Sequence, residues 1–178
     1  MLYVFEKICL SFAIILLIVS MVTHDWCIQT TKDRGVTYKT EFGLSKVCDK
    51  NSKECKKYDS LDDDNDNVKS AAKTCQALAF LAFLCLIASL SCTFAECTAK
   101  WLAPTLGVFG SLLLVACLGE FATKIKGDKK LNPDNSRYMP GSITMEYGFS
   151  FGLATSATVL AFVASVANFV ENHSVDRN

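Results

Sequence analysis

FGLSKVCDKNSKEC, residues 42–55, sets two cysteines seven positions apart among lysines, in a chain whose composition is 51% hydrophobic. The segment is too charged for a membrane interior and too poor in apolar side chains to make a core of its own. Its meaning depends on what flanks it. Of the 178 residues, 18 are Lys or Arg and 18 are Asp or Glu, and they are unevenly spread. Residues 8–24, 74–95, 101–119 and 147–170 contain none of them. At a rise of 1.5 Å per residue each run is about long enough to cross a ~30 Å hydrocarbon core. Only closed backbone hydrogen bonding survives in lipid, so the runs read as four membrane-spanning helices. The first has a weakly charged start at Glu6 and Lys7 and no small-x-small cleavage site before Trp26, so it reads as a retained helix rather than a signal peptide.

The reading is one four-span unit over residues 1–178, with spans at about 8–25, 72–95, 101–123 and 146–170 and larger loops at about 26–71 and 124–145. An even number of spans puts both termini on one side. The first loop carries ten Lys/Arg and the third carries Lys124, Lys126, Lys129, Lys130 and Arg137, whereas the opposite side has only Lys7, Lys100 and Arg177. Taken alone, the positive-inside rule would make the first loop cytoplasmic. The cysteines argue against it. A small loop with two close cysteines suits an oxidising compartment, and Cys48 and Cys55 are near enough to staple a hairpin. Cys27, just past the first span, and Cys75, just inside the second, cap neighbouring helix ends, and two readings stay open for them: a second bridge, or two free thiols that serve as small apolar residues. Metal binding is not expected, since no CxxC and no ligand histidine accompanies these cysteines.

The first loop also reads as strand. His24–Thr31 and Val36–Phe42 are rich in β-branched and aromatic residues, Asp33, Arg34 and Gly35 form a turn between them, and Lys53–Tyr58 is a third candidate. So small a sheet is not stable alone, and a staple at Cys48–Cys55 would help fix its register.

Trp26 at the exit of the first span, then Gly43-Leu44, then Cys48 and Cys55, then three further spans, together resemble the claudin and peripheral-myelin-protein superfamily. That superfamily includes epithelial membrane proteins and stargazin-like auxiliary subunits of ion channels. Its second signature tryptophan falls here at Ser45, a departure that puts any claudin-specific surface around that position in doubt. Residues 147–154 (YGFSFGLA) and 70–77 (SAAKTCQA) are similar to the family's entries into the fourth and second helices. The resemblance implies an integral membrane, mainly α fold: a left-handed four-helix bundle carrying a small extracellular antiparallel β-sheet, a Cys48–Cys55 disulfide, cytosolic termini and a multi-pass place in the plasma membrane. Tetraspanins, gap-junction proteins and four-span thiol oxidoreductases fit worse, for their cysteine patterns are missing.

Trp26 has two compatible readings, an anchor at the lipid boundary or the family's plug between sheet and bundle. Lys46, Lys50, Lys53, Lys56 and Lys57 precede Asp62, Asp63, Asp64 and Asp66, a basic-then-acidic surface suited to docking a partner or a second copy. A calcium loop counted from Asp62 would need Glu where Lys73 stands. Gly148, Gly152 and Ser156 make a small-residue stripe expected to pack within the chain's own bundle. Cys9, Cys92 and Cys97 lie at membrane edges and are candidates for palmitoylation. Zero net charge speaks against a nucleic-acid partner. No catalytic constellation and no cofactor motif is present. The ending Val175-Asp176-Arg177-Asn178 lacks the terminal apolar residue of a PDZ-binding tail, so no PDZ scaffold is expected. Two non-enzymatic roles remain: cell–cell contact or paracellular barrier through the outer sheet, and auxiliary subunit of a channel or receptor packing against its helices. Membrane lipids are partners in both.

Overall fold

A computed structural model describes residues 2–33, 36–58, 66–95, 101–125 and 142–175. Within them the chain runs α1 (Leu2–Val22), β1 (Cys27–Asp33), β2 (Val36–Phe42), β3 (Lys46–Asp49), β4 (Cys55–Lys57), α2 (Asp66–Phe94), α3 (Leu102–Glu120), β5 (Ser142–Tyr147) and α4 (Phe149–Val175). The four helices hold spans long and apolar enough to cross a membrane: Val4–Val22, Lys69–Phe94, Leu102–Lys124 and Phe149–Asn172.

The helix ends differ from the sequence reading for local reasons. α1 opens at Leu2, taking Glu6 and Lys7 into the helix, and ends at Val22, where the Thr23 hydroxyl donates back to the Val19 carbonyl at 2.7 Å. α2 begins six residues early, at Asp66. α3 continues as a π-helical turn, Phe121–Ile125. α4 starts only at Phe149, because Ser142–Tyr147 is a strand.

The five strands form one antiparallel sheet in the order β4-β3-β2-β1-β5. β1 sits between β2 and β5, with Cys27 opposite both Phe42 and Tyr147. The expected third strand at Lys53–Tyr58 is found as β4, and its partner β3, which the sequence reading did not expect, places Cys48 directly across from Cys55.

In the bundle, α1 packs chiefly on α4, α2 on α3, and α3 on α4. Small side chains permit the close approach. Ala154, Ala157, Ala161 and Ala164 recur at three- and four-residue spacing along α4 and are all buried. On α3, a Cβ at Gly107 would overlap the Ser165 hydroxyl, and one at Gly110 would lie 3.2 Å from Leu86 Cδ2. Two apolar clusters result. One joins Leu10, Leu17, Leu86 and Leu114 across the middle of the bundle. The other lies beneath the sheet around Trp26, Phe42, Tyr58, Cys75 and Phe121. The outward side chains, among them Phe12, Ile15, Phe80, Phe109 and Phe162, are apolar as well, as a lipid-facing surface requires.

At the end of the bundle away from the sheet, a carboxylate is buried. Glu6 is 3% exposed. Its Oε1 accepts from the Thr93 hydroxyl at 3.2 Å and from the Asn168 side-chain amide, and Asn172 donates in turn to Asn168 Oδ1 at 2.7 Å. Three helices, α1, α2 and α4, are thereby tied through one charged or chargeable group, a costly arrangement tolerated inside a membrane only with such partners.

Candidate functional site

The first loop meets the bundle at Trp26. Its side chain is fully buried, and the indole Nε1–H donates to the Ser20 carbonyl at 2.7 Å. The ring lies 5.1 Å from Phe121, brought there by the π-helical turn, and meets Phe151 edge-on at 6.0 Å. Phe151 in turn stacks on Tyr147 at the end of β5, 4.3 Å away. Trp26 therefore packs between sheet and bundle.

A second seat is the corner after β2. Tyr58 donates its phenol to the Gly43 carbonyl at 2.8 Å, and Gln76 of α2 donates to the Leu44 carbonyl at 2.6 Å. A Cβ at Gly43 would stand 3.0 Å from His24 Cα and 3.2 Å from the Lys46 carbonyl, so the corner needs glycine. Burial pushes the Tyr58 phenol well above its ordinary pKa, which keeps it a donor at every physiological pH. Beside this corner the Cys48–Cys55 disulfide joins β3 to β4, with Cα atoms 4.1 Å apart. Ser45, where the signature tryptophan is missing, is exposed.

The third seat is the start of α4. Gly148 N–H donates to the Trp26 carbonyl and Ser150 N–H to the Asp25 carbonyl, both at 3.0 Å, and the Thr23 and Ser150 hydroxyls share a hydrogen bond of 2.7 Å. A Cβ on Gly148 would overlap the Asp25 carbonyl group. This corrects the expected role of Gly148, Gly152 and Ser156. Gly148 precedes the helix and is small so that one backbone can cross another. Gly152 and Ser156 are exposed, and a Cβ at Gly152 would meet nothing within 4 Å. The physical reason is rotation. At about 100° per residue, Gly152 lies some 200° around α4 from Ala154, which faces the bundle.

Cys27 and Cys75 are not bridged; each is a buried thiol. Cys27 starts β1 in the sheet, whereas the sulfur of Cys75 is turned to Cys117 on α3. Of the palmitoylation candidates, Cys9 is buried, at 8% exposed. Cys92 is half-buried on α2, and Cys97 lies outside the described residues.

On the sheet's polar side, Lys50 forms a 2.8 Å ion pair with Glu41, and that hydrogen bond holds its ammonium above the ordinary lysine value. Lys46 pairs across the sheet with Lys57, and Val47 with Lys56, so the basic residues converge on β3 and β4. Lys53 turns the chain between them with a positive φ of 58°. Asp62, Asp63 and Asp64 lie outside the described residues, and Asp66 opens α2. Near the Lys50 pair, burial and then Glu41 push the Asp25 carboxyl above its usual range, while burial and then Lys46 hold the His24 imidazole below its own. The buried His24 Nδ1 has no hydrogen-bond partner among the described residues, which fits a neutral ring.

The sequence reading missed Gln76, Tyr58, Glu6, the Cys75–Cys117 contact and β5. Only β5 had a clear signal. Ile143, Met145 and Tyr147 alternate with Ser142, Thr144 and Glu146, the period of a half-buried strand. A family model described as the PMP-22/EMP/MP20/Claudin family matches residues 1–167. No curated protein gives a significant match to the chain.

Proposed function

The chain belongs to the PMP-22/EMP/MP20/Claudin family, and we propose that it is a non-enzymatic cell–cell contact or paracellular barrier protein of the plasma membrane, acting through its sheet. The observation that carries this reading is the sheet itself. Its five strands are held on the bundle at three separate seats, and it ends in β4, whose residues are all exposed. A surface held this firmly can meet a second copy without first paying an ordering cost. The sheet faces outward and both termini lie in the cytosol. The Cys48–Cys55 disulfide supports that orientation, because the cytosol would reduce it. The Lys/Arg count supports the reverse, but it weighs less than a covalent bond whose persistence depends on compartment.

A second reading, auxiliary subunit of a channel or receptor, is favoured by one observation: Gly152 and Ser156 leave a shallow, unfilled strip on the lipid-facing side of α4. One experiment separates the two. The tagged protein is recovered from its native membranes in mild detergent, and co-purifying proteins are identified by mass spectrometry. Large oligomers of the chain with junctional proteins support contact or barrier function. A channel or receptor recovered in fixed ratio overturns it in favour of the second reading.

A further inference from the structure

The cluster beneath the sheet contains the thiols of Cys27, Cys75 and Cys117, all fully buried. Two of these residues, on different helices, engage each other directly. The Cys75 thiol donates to the Cys117 carbonyl at 3.5 Å, and the Cys117 thiol donates to the Cys75 carbonyl at 3.4 Å. A reciprocal contact of this kind requires the residues to face each other across the α2–α3 packing surface. Each sulfur thus lies against the other residue's backbone, the kind of close approach that an interhelical disulfide requires. The surroundings, including Ala71, Ala72, Ala79 and Phe121, are apolar.

We propose that Cys75 and Cys117 are an oxidisable pair that closes to an interhelical disulfide, locking α2 to α3 directly beneath the sheet. The oxidant is a disulfide, carried by a thiol oxidoreductase of the secretory compartment or by a small molecule. One cysteine, as thiolate, attacks it and forms a mixed disulfide, releasing the first thiol. The second cysteine then displaces the remaining thiol and completes the Cys75–Cys117 bond. Two protein thiols lose two electrons and two protons, and one disulfide becomes two thiols. Because the sulfurs are shut off from solvent, the bond forms during assembly of the bundle or through a reagent small enough to enter it.

The position gives the bond a consequence. Gln76, next to Cys75, holds the Leu44 carbonyl, and Phe121, one turn beyond Cys117, packs on Trp26. Closing the bond would tie together the parts of α2 and α3 that carry two seats of the sheet. The separation of 42 positions between the cysteines makes this a long loop, for which a cross-link constrains the unfolded chain strongly. The proposal does not depend on whether the sheet serves adhesion or a channel.

The test uses the full-length protein. Thiols are blocked with N-ethylmaleimide at lysis in denaturant, and peptides are mapped without reduction. A second sample is purified folded in mild detergent and treated with diamide, a small thiol oxidant, before the same mapping. The expected result, in one or both samples, is a peptide linking Cys75 to Cys117, two hydrogens lighter than its reduced halves and absent in Cys117→Ala. Diamide-treated wild type is then expected to melt several degrees above Cys117→Ala treated in the same way. Alkylation of both cysteines in both samples overturns the proposal. Linkage of Cys75 to Cys27 or to any other cysteine overturns it as well.

Discussion

At Gly148 the end of β5 crosses the backbone of Asp25 on its way into α4. A Cβ there would lie 2.6 Å from the Asp25 carbonyl carbon and 3.3 Å from its Cα, with the carbonyl oxygen closer still. An unstrained carbon–carbon contact is roughly 3.5–4.0 Å. Gly148→Ala must therefore push the two segments apart by about 1 Å. Overpacking of that kind costs about 1–3 kcal/mol. The same movement stretches the Gly148–Trp26 and Ser150–Asp25 backbone hydrogen bonds, each worth about 1 kcal/mol. A loss of roughly 2–4 kcal/mol follows, large beside a total folding stability of about 5–15 kcal/mol. At about 2–4 °C per kcal/mol for a chain of this size, the melting midpoint in mild detergent should fall by roughly 4–16 °C. The fraction delivered to the cell surface should fall with it.

Gly152→Ala is the internal control. The two glycines share one GxxxG, yet nothing stands within 4 Å of a Cβ at Gly152. Alanine there should stabilise α4 by up to about 1 kcal/mol through helix propensity. If Gly148→Ala melts within 1 °C of wild type, the crossing of Asp25 and Gly148 does not constrain the fold as argued. If Gly152→Ala is the damaging change, the strip belongs to a packed interface after all.

Trp26→Phe should cost about 1–2 kcal/mol, because the buried Ser20 carbonyl loses its indole donor, and Trp26→Ala about 3–5 kcal/mol; equal melting of the two variants would dismiss the hydrogen bond. Glu6→Ala should cost about 2–4 kcal/mol by leaving the Thr93 and Asn168 donors without their acceptor, while Glu6→Gln retains a carbonyl in its place and should lose less; chemical denaturation of the two variants compares them directly. Cys48→Ser or Cys55→Ser should cost about 2–3 kcal/mol, the value for a short closed loop, and lower surface delivery; normal delivery of both would show that the sheet holds without its staple. Asp25 has a raised carboxyl pKa, so its contribution is greatest below the ordinary value of 3.8 and is lost as pH rises through the raised value. Asp25→Asn should accordingly stabilise the protein at neutral pH and flatten the acid side of a plot of melting midpoint against pH; an unchanged profile would count against a raised Asp25 pKa.

The four spans were legible because a lipid-facing helix must be apolar on its outside as well as its inside, and a run free of charge shows that directly. β1 and β2 were legible from their β-branched residues. Other features depend on rotation and neighbourhood, which one-dimensional order does not carry. Glu6 reads as a flank beside Lys7 until α1 is seen to begin at Leu2 and turn that carboxylate toward Thr93 and Asn168. Cys75 is nearest Cys27 by a count of helix ends, yet it meets Cys117 because α2 pairs with α3. Gly152 and Ala154 stand two residues apart and differ in whether they face lipid or bundle. β5 was the one avoidable miss, since its alternation is present but runs across the boundary between the third loop and the fourth span.

The seats also explain how the chain departs from its family's signature at Ser45 and keeps the fold. The groups held at the junction are largely backbone carbonyls: Ser20 by Trp26, Gly43 by Tyr58, Leu44 by Gln76, and Trp26 and Asp25 by the start of α4. Such contacts require a glycine where the chain turns and an apolar side chain at Leu44 beneath the corner. They make no demand on the next residue, whose side chain points away from the seat and is exposed. A small hydroxyl therefore replaces a large aromatic at position 45 without touching the junction. The change falls on what the sheet presents rather than on how it is held. Exposed aromatic residues are common anchors of protein–protein contacts. A sheet lacking one here must draw its contacts from other exposed groups, and the lysines of β4 are the most concentrated of those described. On the contact reading proposed above, association through that strand would depend on its charge and should weaken as ionic strength rises.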